Sequence, residues 1–82
     1  MKDVTERALM SLRVELDRAF DRYGSFHSAH EGWAVIREEV DELWDEVKKK
    51  SDIRTSRSMR EEAIQIAAMA IRFAVDICPE EL

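Results

Sequence analysis

Between Ala63 and Ile77 the chain is apolar almost all the way round a helix. Ile64, Ile66, Ala67, Ala68, Met69, Ile71, Phe73, Ala74 and Val75 fill the run. At about 100° per residue they leave no wide polar face. Such a helix must be covered on most sides, and the whole chain is 82 residues long, near the size at which a single core is marginal. Two other short helices can hardly cover it. Burial therefore predicts a partner subunit: a homodimer or, as a dimer of dimers, a homotetramer. The exceptions, Glu62, Gln65, Arg72 and Asp76, fall on one narrow stripe with Met69 in its middle.

The rest of the chain supplies two more helices. Asp3-x-x-Glu6 is a capping pair that starts the first. Its apolar face is Leu9, Leu12, Leu16, Ala19 and Tyr23, and Gly24 is expected as its C-terminal cap. Ser28-x-x-Glu31 starts the second, which should run to about Lys48–Lys50, where three lysines suit the negative end of the helix dipole. Ser58-x-x-Glu61 is a further capping box and is expected to start the third, with Pro79 as its stop before an acidic tail, Glu80-Glu81-Leu82. Two glycines and one proline, with 38% charged and 45% hydrophobic residues, agree with a helical, water-soluble chain. The expectation is a single all-α domain, residues 1–82: a three-helix subunit whose helical bundle is completed between subunits.

Charge and cysteine content narrow the function. With 18 acidic against 13 basic residues the net charge is −5, which repels phosphate backbones and argues against nucleic acid as a partner. No clustered Arg, Lys, Asn and Gln marks a recognition helix. The longest apolar run, Ile66–Ile71, is far too short for a membrane span. MKDVTERALM lacks the uninterrupted apolar core of a secretory signal. The one cysteine, Cys78, excludes an internal disulfide and fits a reducing, cytoplasmic setting.

The second helix carries an unusual acidic row. Trp33, Ile36, Val40, Leu43, Trp44 and Val47 form its apolar stripe, and Glu39, Glu42 and Glu46 line one edge of that stripe. Glu38, Asp41 and Asp45 point to water. Like charges three and four residues apart repel, so something must offset the row. Either a divalent cation does so, or the row is a solvated rim paired with Lys or Arg of a neighbouring helix. Glu62 and Gln65, near the start of the third helix, would face Glu39 and Glu42 across an antiparallel pair.

The connections offer further candidates. His27 and His30 lie three apart, but no cysteine accompanies them and the segment is a turn entering a helix, so a zinc reading is poor. His30 with Trp33 could line the mouth of a pocket and stack on or hydrogen-bond a base. Plain core packing is the other reading of Trp33. Arg54, Arg57 and Arg60, in and after the polar connection SDIRTSR, could hold phosphate oxygens or simply be solvated.

Glu38-Glu39-x-x-Glu42 followed by Glu61-Glu62-x-x-Gln65 resembles the signature of the MazG-like all-α nucleotide pyrophosphohydrolases, E-x-x-E on one helix and E-x-x-D on the next. HSAHEGWAVIREEVDELWDEV and REEAIQIAAMAIRFAVD are similar to small phage and prophage-type members. The resemblance covers roughly residues 26–76. It implies hydrolysis of a nucleoside or deoxynucleoside triphosphate to monophosphate and pyrophosphate, with Mg²⁺ as cofactor and Mn²⁺ as an alternative. Carried over by position, Glu39, Glu42 and Glu62 would be metal ligands, with Gln65 at the fourth place. Glu39 and Glu42 would carry catalysis, with Glu46 extending the row toward water activation.

One departure matters. Gln65 stands where the pattern ends in Asp, which removes a negative charge and should weaken metal affinity. Three outcomes stay open: an active enzyme with a lean site, an enzyme of altered chemistry, or a catalytically weak or inactive helical nucleotide-binding or interaction protein.

Overall fold

The computed structural model describes residues 3–79, so the acidic tail at 80–82 lies outside the described residues. Three helices follow in order: α1, Val4–Arg22; α2, Ala29–Val47; and α3, Ser56–Ile77. Among the described residues there is no strand, and no helix is long and apolar enough to cross a membrane.

The N-termini form where side-chain acceptors are available. Asp3 accepts from the Glu6 N–H at 2.8 Å, and Ser28 from the Glu31 N–H at 3.0 Å, so both expected caps are present. Glu31 does not complete its box by reaching back to Ser28. It accepts instead from the His27 N–H at 2.9 Å.

Three boundaries differ from expectation. α3 starts earlier, because Thr55 rather than Ser58 is its cap: the Thr55 side chain accepts from the Ser58 N–H at 3.1 Å. Arg57 therefore lies on the helix and not in the connection. α1 ends on Tyr23 in extended conformation, and neither glycine has a positive φ, so Gly24 is not a left-handed cap. α2 stops at Val47, and the lysines fold back on it, Lys48 to Asp45 and Lys49 to Glu46.

α3 is the central element. α1 and α2 each pack on it, and their backbones do not approach each other. The result is an open cleft floored by α3. Its core is small: Leu16 and Ala19 from α1, Phe26 from the connection, Ala68 and Met69 from α3, with Leu12, Val35, Ile36, Ile71, Phe73 and Ile77 packed around them.

Gly32 sets how α2 sits. It is buried, and a Cβ there would fall 2.6 Å from the Phe73 ring and 3.1 Å from the Phe26 ring. Close approach at this residue turns the side of α2 bearing Gly32, Val35, Ile36 and Glu39 toward α3. Trp33, Val40 and Trp44 lie about 100° further round, and they are exposed at 58%, 41% and 59%. The expected apolar stripe of α2 is thus only partly its buried face. Leu9 of α1 and Tyr23, which caps it, are likewise exposed.

α3 shows a related inversion. Its polar stripe turns inward: Met69 and Arg72 are buried, and Glu62, Gln65 and Asp76 are half-buried. Ala63, Ala70, Ala74 and Val75 face out.

Candidate functional site

The inward stripe of α3 meets the buried face of α2 at three carboxylates. Glu39, Glu42 and Glu62 each place one oxygen within 4.8 Å of the others. The i, i+3 spacing of Glu39 and Glu42 puts both on one side of α2, and the first turns of α3 bring Glu62 opposite. All three are half-buried. Glu39 Oε2 and Glu62 Oε2 are closed to solvent and have no hydrogen-bond partner. Buried acceptors without donors are rare.

Ion pairing separates this trio from four other acids of α2 and α3, although Glu38 and Asp76 likewise have no cation partner among the described residues. Asp41 pairs with Arg37, Asp45 with Lys48, Glu46 with Lys49 and Glu61 with Arg57. Among the described residues, Glu39, Glu42 and Glu62 pair with no cation. A salt-bridged rim describes Asp41, Asp45, Glu46 and Glu61 and not the trio.

The electrostatics follow. Burial, then the charges of Glu42 and Glu62, push the Glu39 carboxyl up to about 7. Burial also raises Glu62, reinforced by Glu42, whose carboxylate can accept the Glu62 proton, and by the charges of Glu42, Glu46 and Glu61. Near neutral pH the cluster is ready either to hold a proton or to accept a cation in its place.

The remaining candidates are distributed unevenly. Gln65 and Glu39 both line a cavity of about 410 Å³. Glu46 is near enough to act on Glu62, but both of its oxygens accept from Lys49 Nζ, at 2.8 and 2.9 Å. His30 and Trp33 line a separate surface depression with Ala29 and Phe73. Arg54 donates to the Val47 carbonyl at 3.3 Å, and Arg57, 89% exposed, is held by Glu61. Arg60 donates to Ser11 Oγ at 3.1 Å, on a groove between α1 and α3 that also includes Gln65. The arginines, His30 and Trp33 do not converge on the carboxylates within this subunit.

One residue that the stripe of α3 carries without an assigned role, Arg72, also lines this cavity. Arg72 is 3% exposed. One of its Nη groups donates to the Gly24 carbonyl, the other meets the Met69 sulfur at 3.5 Å, and Nε has no acceptor. Its guanidinium lies 4.4 Å from the Phe26 ring centroid. Asp76, one turn on, accepts the Phe26 N–H at 2.9 Å. Together they fasten the α1–α2 connection to α3. The available signal was Arg72 itself, a cation interrupting an apolar run.

No family model, no curated protein and no solved structure matches this chain.

Proposed function

We propose that this chain is a Mg²⁺-dependent nucleotide pyrophosphohydrolase, converting a nucleoside or deoxynucleoside triphosphate to the monophosphate and pyrophosphate. The observation that carries the reading is the unpaired trio, with two carboxylate oxygens sealed from water and lacking any donor. The fit to a hard divalent cation is good: oxygen donors from two helices, charge to be neutralised, and an adjoining cavity for substrate.

Glu39, Glu42 and Glu62 would hold Mg²⁺ or Mn²⁺, with the Gln65 carbonyl next in line. When bound, the cation supplies charge neutralisation on the phosphate oxygens. The protein's own part is orientation and proton transfer. A carboxylate of the row orients a water toward phosphorus and takes its proton as the new P–O bond forms and the α–β anhydride bond breaks.

A second copy of the chain belongs to this reading. The surface of 6426 Å² for 9.6 kDa compares with roughly 5,100 Å² for a folded monomer of that mass. The excess, on the order of 1,300 Å², is more than each partner buries in a standard interface. Val40, Trp44 and the outward alanines of α3 supply apolar surface for it.

The competing reading, a nucleotide-binding or interaction protein without turnover, is favoured by Gln65 in place of an acid and by the dispersal of Arg54, Arg57 and Arg60. Pyrophosphate release from a panel of NTPs and dNTPs, with Mg²⁺, Mn²⁺ or EDTA, decides. Metal-dependent release of pyrophosphate with monophosphate is expected. Silence across the panel from folded protein would favour the rival.

A further inference from the structure

We infer that Arg72 reads the base of the substrate, and that the preferred base is a 6-oxopurine. This rests on the function proposed above. The cavity of about 410 Å³ is lined at one end by Glu39 and Gln65 and at the other by Tyr23, Phe26 and Arg72, with Met69 between. Arg72 follows Glu62 by ten positions on α3, roughly 15 Å along the axis. A nucleotide whose phosphates lie at the carboxylates therefore brings its base, not its phosphates, to Arg72.

Arg72 is poorly satisfied for a buried cation. No carboxylate lies within ion-pair distance of it among the described residues, although Glu31, on the same cavity wall, is close enough for the Arg72 charge to act on it. Nε has no acceptor, and one Nη has only a thioether sulfur at 3.5 Å, a weak partner. The thioether contact is the one readily exchanged for a carbonyl. Guanidinium is donor-only, so it matches a base edge with adjacent acceptors, as O6 and N7 of guanine or hypoxanthine provide. Adenine presents an N–H donor beside N7 and meets donor with donor. The surrounding Met69 and Phe26 are buried, which raises the cost of a mismatched donor.

The test is kcat/KM for dGTP, dITP, dATP and 7-deaza-dGTP with Mg²⁺, in the parent and in Arg72→Lys. The parent should favour dGTP and dITP over dATP by at least about tenfold, the range of one bidentate contact. Loss of N7 in 7-deaza-dGTP should lower kcat/KM toward that of dATP. Lysine keeps the charge without the planar fork, so the dGTP-to-dATP ratio should fall toward one, chiefly through KM. Equal use of dATP and dGTP, full activity on 7-deaza-dGTP, or an unchanged ratio in folded Arg72→Lys would each overturn the inference while the hydrolase reading stood. Should Arg72→Lys not fold, the 7-deaza comparison in the parent decides. No turnover of any nucleotide would overturn both.

Discussion

At the scale of single residues, Glu39 is a half-buried carboxyl that its surroundings push toward neutral pH. It lies on the buried face of α2, one oxygen has no donor, and two carboxylates flank it. Glu39→Gln keeps the shape and removes the charge. The variant should lose nucleotide turnover, lose the Mg²⁺-dependent rise in melting temperature, and in EDTA melt no lower than the parent. Activity assays and paired thermal melts check this. The sign of the pH effect follows from the same residue. Its carboxyl is raised from 4.5 to about 7, so between those values the folded chain holds a proton that the unfolded chain has released. Stability of the metal-free protein should therefore fall as pH rises from about 4.5 to about 7 and level off above. Mg²⁺ should offset the fall, and its stabilising effect should grow over the same window. Denaturant melts at stepped pH, with and without Mg²⁺, read both slopes. Glu39→Gln should flatten the metal-free profile.

At the scale of elements, two positions show what local sequence rules miss. Thr55 and Ser58 both fit a cap, but only Thr55 accepts a backbone N–H at the start of α3. Thr55→Ala should cost about 1 kcal/mol, and Ser58→Ala less, although Ser58 also meets Thr55 through its hydroxyl at 2.9 Å. Chemical denaturation of the two variants measures the difference. Gly32 lies in the interior of α2, where alanine ordinarily stabilises by up to about 1 kcal/mol. Here the added methyl would meet the Phe73 ring at 2.6 Å, and overpacking costs typically 1–3 kcal/mol. Gly32→Ala should therefore lower the melting temperature, the reverse of its effect on a free helix.

At the scale of the whole molecule, the dominant feature is the open cleft between α1 and α2. The radius of gyration is 14.2 Å, against about 12 Å for a compact domain of this length, because α1 and α2 both lean on α3 without their backbones approaching each other. Sedimentation equilibrium should return at least twice the 9.6 kDa of one chain. Trp44→Glu, placed on exposed apolar surface, should shift the mass toward the monomer with helicity retained. A parent that sediments as a monomer at micromolar concentration would remove the second copy from the reading.

The number and type of elements were legible in the chain, because helix periodicity and side-chain caps act over three or four residues. Asp3 and Ser28 were recognisable as caps, and the all-helical class followed from patterning with few glycines and a single proline. The grouping of Glu39, Glu42 and Glu62 was also foreshadowed, since i, i+3 spacing fixes one face and short connections favour antiparallel neighbours. Which face of α2 would be buried was not legible. That choice depended on a glycine fitting against two aromatic rings from distant segments, Phe26 and Phe73, and it turned Trp33 and Trp44 outward. The placement of Trp33 away from the carboxylates was decided the same way, by the rotation of α2 on α3, and that of the arginines by their contacts with Val47, Glu61 and Ser11. So was the inward turn of Arg72: sequence marked it as an interruption, and only packing against Gly24, Phe26 and Met69 made it the buried end of a cavity. Local rules decide which residues share a face, but the docking of faces is a balance of contacts between segments some fifty residues apart, to which local periodicity is blind.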